Sequence, residues 1–477
     1  MKDAPPVSTK QTTRAAVGLP ENEPVTFLVK ALECENPFGG TSRHVIRDNE
    51  DVEIGRGEAS FRRLQAASGP RFELRVPDRT MSARHARLHR VGATWILEDL
   101  GSTNGTLLDG QRVERAPLRD GQLIEIGATL LLFRETQATS PLLDRTLALD
   151  DAGALSTLSP LLELAMARLE RIAHSRLSVL VLGETGTGKE GIARAVHRLS
   201  RRAGPFVAVN AAAIPAPLLE AQLFGHVKGA FSGAVKDEVG FVRCAHEGTL
   251  FLDEIADLPP SSQAALLRVL QNGEVTPVGS TRSVQVDVRI VAATHRNLNE
   301  LMAEGLFRRD LYARLAGFTH TMPTLLGRRE DLGLLIGALL ARHGRALAPT
   351  LRPEAVRALF AYAFPLNVRE LEQALAAALV LSAGEPIALH HLPEAVQGAS
   401  QTSAPPRVAP LRPAASAPPE PRSEEENLSY RALVQALRET RGNVSETARR
   451  MGKARQQIQR WLRRFELEPE SFRTGED

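Results

Sequence analysis

The sequence predicts a multidomain protein: an all-β sandwich, then an α/β domain, then a small all-α unit. Length is the first observation, because 477 residues exceed one ordinary hydrophobic core and suit about three domains. The second is a change of pattern. Short β-rich runs separated by Gly, Asn and Asp turns occupy residues 25–133, whereas short apolar strands alternate with longer helical periodicities from 155 to 396. The third is a stretch dominated by Pro, Ala and Ser over residues 397–426, which cannot bury enough apolar surface to fold and so sets off a last helical segment.

Composition narrows the class. Hydrophobic content of 43% with 24% charged residues is that of a soluble globular protein. Only 4% of residues are aromatic, so the cores are expected to be built from Leu, Val, Ile and Ala. No run approaches the ~20 apolar residues that span a bilayer. Met1 to Pro20 is polar, without the apolar centre of a signal peptide. Cys34 and Cys244 are the only cysteines and lie far apart, which argues against a disulfide framework. These features predict a cytoplasmic protein without a membrane partner.

Taken in order, residues 1–24 read as disordered and 25–135 as the sandwich. Strand signals there are Val25–Leu28, Phe72–Val76, Thr94–Leu97, Leu123–Ile126 and Leu130–Phe133. Three blocks punctuate them: Gly55-Arg56-Gly57, Ser82-Ala-Arg-His85, and Asp99-Leu-Gly-Ser-Thr103-Asn104-Gly105-Thr106. Arg56 can make a charge-assisted contact to a phosphate and Ser82 can donate its hydroxyl, while His85 reads as a structural residue that holds the loops. Residues 136–154 read as a linker.

The α/β region, 155–396, opens its chemistry at Val179–Leu182. This apolar run leads into Gly183-Glu184-Thr185-Gly186-Thr187-Gly188-Lys189-Glu190, and helical spacing follows through Ile192, Ala195 and Val196. That is the strand–loop–helix context of a P-loop, in which backbone N–H groups and a helix N-terminus converge on phosphate oxygens. Lys189 is expected to reach the β- and γ-phosphates of ATP. The strict pattern has Ser or Thr after the lysine, and Glu190 stands there. Further on, Gly248-Thr-Leu-Phe-Leu-Asp253-Glu254 is a buried-strand run ending in two carboxylates. Asp253 can hold Mg²⁺ and Glu254 can polarise an attacking water.

The last unit, 427–472, carries an apolar stripe through Leu433, Leu437, Val444, Ala448 and Met451. After Gly452 a second stripe runs through Ile458, Trp461, Leu462 and Phe465. Two helices about a glycine turn are a helix-turn-helix pattern. Between Arg438 and Arg464 nine basic residues face two acidic ones in a chain whose net charge is only +3, so a polyanion partner is expected. Arg455, Gln456, Gln457, Gln459, Arg460 and Arg463 suit base edges and phosphates, whereas Trp461 and Phe465 read as core.

Together these blocks resemble the sigma-54-dependent transcriptional activators, bacterial enhancer-binding proteins with an AAA+ ATPase domain. The resemblance runs from about Ser159 to Pro393, and the family's P-loop itself carries Glu after the lysine. It implies several roles. Asn210, in Val-Ala-Val-Asn, would be a switch that pairs with Glu254; Thr294 and His295 would lie in the sensor I segment; Arg308 and Arg314 would act across a subunit boundary; Arg369, in Asn-Val-Arg-Glu-Leu, would be sensor II in a small helical lid. Hydrolysis would then require homo-oligomers, from dimer to hexamer. Gly229-Ala230-Phe231-Ser232-Gly233-Ala234 is similar to the family's loop that touches sigma-54, with Ser232 where Thr is usual. An exposed phenylalanine is otherwise a liability.

The sandwich resembles a forkhead-associated (FHA) domain, which implies that Arg56, Ser82, Thr103 and Asn104 bind a phosphothreonine-containing protein or a Ser/Thr kinase. The last unit resembles the Fis-type helix-turn-helix of the same activators, which implies enhancer DNA and the sigma-54 RNA polymerase holoenzyme as partners. Departures are Ala83 after the serine, Phe364-Pro-Leu-Asn367 for Trp-Pro-Gly-Asn, and Met322-Pro-Thr-Leu-Leu-Gly-Arg328 near the lid. Ser232 and the altered lid keep a second reading open: a phosphopeptide- and DNA-binding repressor or scaffold that has lost sigma-54 coupling.

Overall fold

A computed structural model describes residues 24–66, 69–137, 143–149, 155–344 and 349–399, and in the C-terminal part 433, 435–437, 440, 443–453 and 457–458. The chain divides into two units, Met1–Ala409 and Pro410–Asp477.

The first unit begins with the sandwich. One sheet contains β1 (Pro24–Glu33), β2 (Thr41–Ile46), β8 (Thr106–Leu108), β9 (Gln111–Val113), β11 (Leu123–Ile126), β12 (Thr129–Gln137) and β13 (Arg145–Leu147), in the order β13-β2-β1-β12-β11-β8-β9. The other contains β3 (Asp51–Arg56), β4 (Ser60–Ala66), β5 (Gly69–Val76), β6 (Ala86–Val91), β7 (Thr94–Asp99) and β10 (Arg115–Pro117), in the order β10-β7-β6-β3-β5-β4. Within it β3 and β5 run parallel. Alternation sends Leu28, Leu131 and Phe133 inward, onto Ile54, Phe72, Leu88 and Trp95. The expected linker 136–154 is not wholly a linker. Arg145–Leu147 pairs with Thr41–Arg43 as β13, and Asp144 accepts from Val45 N–H and pairs with Arg63.

Helix α1 (Pro160–Ala173) leads into a parallel sheet, β15-β18-β21-β14-β22, made of β14 (Val179–Leu182), β15 (Phe206–Asn210), β18 (Thr249–Asp253), β21 (Arg289–Thr294) and β22 (Phe318–Thr321). Helix α2 (Lys189–Ser200) follows β14, and α3 (Ala216–Phe224), α4 (Phe241–Cys244), α5 (Pro260–Asn272), α6 (Leu298–Ala303) and α7 (Arg309–Leu315) complete the domain. Two apolar clusters form its core, one around Leu180, Leu250 and Ile290 and one around Val179, Val181 and Val291. Both faces of the sheet are therefore covered, which is why its strands read as continuous apolar runs. Two ribbons project from this frame. Strands β16 (Gly225–His226) and β17 (Glu238–Val239) pair antiparallel, as do β19 (Glu274–Val275) and β20 (Val284–Gln285).

The lid comprises α8 (Leu332–Gly344), α9 (Pro353–Ala361), α10 (Asn367–Leu381) and α11 (Glu394–Ala399). It does not stand apart from the sandwich. Phe27, Val29, Ala31, Leu130 and Leu132, on the outer face of β1 and β12, share one apolar core with Leu332, Ile336, Leu339, Val356 and Leu359. Backbones touch along this contact: a side chain at Gly333 would meet Ala31 O at 1.7 Å, and one at Gly337 would meet Pro37 O at 2.6 Å. Ion pairs border it, bidentate between Arg357 and Glu125 (2.5 and 2.8 Å) and single between Arg134 and Glu330 (2.6 Å).

In the second unit the helix Val444–Arg450 is capped by Asn443 Oδ1, which accepts from Glu446 N–H at 3.2 Å. Leu433, Leu437, Ala448 and Ile458 form a small core, against which Val444 and Met451 pack. Gly452 has φ +63°, as a turn after a helix requires.

Candidate active site and recognition loops

The strand order brings the nucleotide chemistry to one end of the parallel sheet. Three carboxyl ends meet there: β14 releases the P-loop, β18 ends at Asp253, and β21, lying between them, ends at Thr294. Gly183, Gly186 and Gly188 take φ of +147°, +78° and +100°, the left-handed backbone that glycine adopts without strain and that lets the loop coil tightly. Lys189, only 7% exposed, donates from Nζ to Gly183 O at 2.8 Å and Glu184 O at 3.0 Å. Burial lowers its pKa, Glu254 and Asp253 oppose that, and Arg369 adds to it. Asp253 moves the other way: burial and the neighbouring Glu254 raise its pKa, against Lys189. A half-buried carboxylate pair beside a buried lysine lacks positive charge, which a divalent cation would supply.

Glu254 has φ +51°, uncommon for a residue with a side chain. This turn carries its carboxylate to the end of β21, where His295 Nδ1 lies 2.9 Å from both oxygens and Thr294 Oγ1 donates at 3.3 Å. His295 must carry its proton on Nδ1 there, since a carboxylate only accepts. The expected pairing of Asn210 with Glu254 is not formed. Asn210 ends β15, and its Oδ1 accepts from Ala212 N–H at 2.9 Å, capping the short 3₁₀ turn Ala211–Ala213. The second amide of that turn, which has no partner within it, claims the side-chain oxygen. Glu190 is exposed and pairs with Arg194 one turn along α2 (2.7 Å), on the solvent side of the helix.

The lid closes directly on the P-loop. Val368 N–H donates to Gly186 O at 3.0 Å, and a side chain at Gly186 would meet Leu366 O at 2.1 Å. Asn367, 1% exposed, donates from Nδ2 to Thr185 O and Glu184 Oε2, and accepts from Leu325 N–H. Buried Arg328 donates to Thr187 O at 2.7 Å. Neither Asn367 nor Arg328 is among the nucleotide-site residues assigned from sequence, although the Phe-Pro-Leu-Asn block marks the first. Arg369 lies exposed beside Gly186, next to Lys189. Arg308 and Arg314 are exposed at either end of α7; Arg308 pairs with Asp310 at 2.7 Å.

Residues Gly229–Ala234 form a tip above the β16–β17 ribbon. Gly229 N–H donates to Ala234 O and Ala234 N–H to Phe231 O, with Gly229 and Gly233 at φ +82° and +105°. Phe231 is 38% exposed, its ring 4.9 Å from that of His226, and Ser232 is exposed beside it.

At one end of the sandwich the four phosphothreonine residues assigned from sequence come together. Arg56, exposed at the end of β3, donates its N–H to Ser82 O; Ser82 Oγ accepts from Thr103 N–H at 3.1 Å; Asn104 Nδ2 donates to Thr80 O at 2.7 Å. His85 clamps the two loops. Its Nδ1 accepts from Ser82 N–H (3.0 Å), which leaves the proton on Nε2 to donate to Gly105 O (3.2 Å). Burial lowers its pKa, in keeping with a neutral ring. Of the six DNA-contact residues assigned from sequence, Gln457 lies in a short helical stretch; Arg455, Gln456, Gln459, Arg460 and Arg463 lie outside the described residues.

Comparison with known proteins agrees with this division. Three family models match: an FHA domain over residues 52–127, a Sigma-54 interaction domain over 155–320, and an AAA+ ATPase lid domain over 327–409. The chain is 39% identical over 390 residues to the acetoin catabolism regulatory protein of Cupriavidus necator, covering 80% of this chain and 56% of that one. It is 39% identical over 324 residues to the transcriptional regulatory protein GlrR of Escherichia coli, covering 67% of this chain and 70% of that one. Among solved structures, NtrX from Brucella abortus in complex with ADP is similar at 30% identity and a TM-score of 0.48, covering 65% of this chain and 70% of that chain. Among the described residues no helix is long and apolar enough to cross a membrane.

Proposed function

Because the chain belongs to the family of sigma-54-dependent transcriptional regulators, and carries an FHA domain and an AAA+ ATPase domain, we propose that it binds enhancer DNA and uses ATP hydrolysis to remodel the sigma-54 RNA polymerase holoenzyme under phosphothreonine control. The observation that supports this reading is the Phe231 tip, where an aromatic ring on a ribbon of the ATPase domain rests on His226 yet stays 38% exposed. Lys189 and the glycine-rich loop would hold the phosphates, and Asp253 would hold Mg²⁺. When bound, the metal supplies charge neutralisation at the phosphates. Glu254 would orient and deprotonate the attacking water, released to do so by His295 and Thr294. Arg308 and Arg314, exposed and distant in sequence from the P-loop, would complete a neighbouring subunit's site, so that a ring is the active form. The helix-turn-helix unit, through Arg455, Gln456, Gln457, Gln459, Arg460 and Arg463, would tether the ring to DNA and raise its local concentration.

The test is direct. Purified protein should hydrolyse ATP and drive open-complex formation by sigma-54 polymerase, and Lys189→Ala or Glu254→Gln should stop both. Robust hydrolysis without any open complexes would sink the activator reading and favour a phosphopeptide- and DNA-binding repressor or scaffold.

A further inference from the structure

The recognition loops of the sandwich do not open onto bulk solvent on every side. Asn104 and Thr80 form one wall of a cleft of about 420 Å³, and the lid forms the other through Thr350, Leu351, Arg352, Pro353 and Pro386. A belt of hydrogen bonds joins the walls. Asn104 Nδ2 donates to Thr80 O (2.7 Å), and Thr80 N–H to Asp78 Oδ1 (2.8 Å). Asp78 Oδ2 accepts from Ala128 N–H (2.8 Å), Cys34 N–H donates to Ala128 O (2.8 Å), and Leu351 N–H donates to Cys34 O (2.9 Å). The cleft is thus a built surface, continuous with the Arg56–Ser82–Thr103–Asn104 cluster. Arg352 stands at its lid edge as the residue before α9. Its side chain caps nothing and is exposed, and among the described residues it has neither a hydrogen-bond nor an ion-pair partner.

We propose that this cleft is a composite peptide subsite, in which lid residue Arg352 reads an acidic side chain flanking the phosphothreonine held by the FHA loops. The inference rests on the phosphothreonine reading of those loops. A peptide whose backbone bonds Asn104 would have flanking residues beside the cleft, because Asn104 belongs to both. A free guanidinium on the opposite wall favours a carboxylate there. Glu35, also lining the cleft, disfavours acid on its own side and so limits the preference to one peptide position. Sequence choice would then belong to two domains together, and any peptide that satisfies it would bridge the sandwich and the lid.

Fluorescence anisotropy on the full chain tests this with fluorescein-labelled phosphothreonine peptides on an alanine background, in which one Asp or one Lys is walked along both flanks. Wild type should prefer Asp over Lys by about fivefold to tenfold at one position, which is about 1–1.4 kcal/mol. Arg352→Glu should invert the preference at that position, and it should fold normally, since the side chain makes no hydrogen bond or ion pair among the described residues. Arg56→Ala should bind none of the peptides. Wild-type binding no stronger than that of Arg56→Ala would overturn both the phosphothreonine reading and the subsite. Tight wild-type binding with the same Asp-over-Lys profile in Arg352→Glu would overturn the subsite alone.

Discussion

Replacing Gly333 by alanine separates two accounts of the lid by the sign of the effect. In a solvent-exposed helix interior, Gly→Ala stabilises by about 0.8–1.0 kcal/mol, because glycine carries the greater conformational entropy in the unfolded chain. Here the added carbon would sit 1.7 Å from Ala31 O and 2.6 Å from Ala31 C, both backbone atoms of β1. No side-chain rotation relieves that clash; helix α8 must move by more than an ångström. Overpacking of this kind typically costs about 1–3 kcal/mol. Full separation of the contact would cost more, since each buried Leu or Phe exposed from the shared core loses about 1.5–3 kcal/mol. A local shift is therefore the cheaper response, and a net loss of up to about 2 kcal/mol is expected once the propensity gain is subtracted. Gly337→Ala, facing Pro37 O at 2.6 Å, should lose less. Gly398, in α11, has nothing within 4 Å of its would-be side chain and serves as the control that should gain or stay level. Urea unfolding of the full chain, with hydrogen exchange read at the β1 amides, measures all three. Stabilisation by Gly333→Ala equal to that of Gly398→Ala would refute the docking of sandwich on lid.

Two further outcomes follow from the site and the cores. If Arg314 acts across a subunit boundary, Arg314→Ala and Lys189→Ala should each lack ATPase alone, yet mixing them one to one should restore activity in about a quarter of the interfaces, those pairing an intact P-loop with an intact arginine; mixed rings without any recovery would place Arg314 in its own subunit's site. Burial depresses the pKa of both His44 and His320 to about 4, with Arg63 and Arg328 respectively adding to it and Asp144 opposing it at His44. Between about 4 and 6.5 the folded state binds fewer protons than the unfolded state. Stability is therefore full above pH 6.5 and falls as pH drops through that window, by about 1.4 kcal/mol per pH unit for each histidine. His320→Gln should flatten the fall between pH 6.5 and 5 in chemical denaturation, and an unchanged slope would show that His320 is not held neutral.

Much of this was legible in the sequence because it rests on local rules. The P-loop needs glycines at fixed offsets after an apolar strand, and the two acids must end another. Both signals survive in a single chain, as do the Arg56, Ser82 and Asn104 blocks. What was not legible depends on long-range packing. Leu130-Leu131-Leu132-Phe133 reads as one strand of a sandwich, but an uninterrupted apolar run signals burial on both faces, and the second face belongs to the lid. Gly333 and Gly337, one helical turn apart in an otherwise Leu-rich helix, marked the same close approach. Asn210 differs for another reason: its Oδ1 is held by Ala212 N–H in a turn that forms only in the folded chain, which sets where its Nδ2 lies relative to Glu254.

The lid holds both sites by bonds that a rigid element would transmit. At one end Asn367 and Val368 of α10 grip the P-loop at Thr185 and Gly186; at the other Arg357 of α9 grips Glu125 of the sandwich, and Arg352 faces the recognition cleft. Intermediacy alone does not establish coupling, and a ligand can bias the lid only through unequal affinity for two of its positions. Thermodynamics then fixes a strict test. If phosphopeptide changes ATP affinity by a factor, ATP must change phosphopeptide affinity by the same factor, and factors of about 5–150 are usual for coupled sites. Glu254→Gln protein, which should bind ATP without turnover, permits both titrations at equilibrium. Factors different from one would show that the two sites are coupled, and their loss in Arg357→Ala protein would assign that coupling to the sandwich–lid contact. Peptide affinity indifferent to saturating ATP, with both ligands bound, would reduce the FHA domain to recruitment and leave the sandwich–lid contact a structural one.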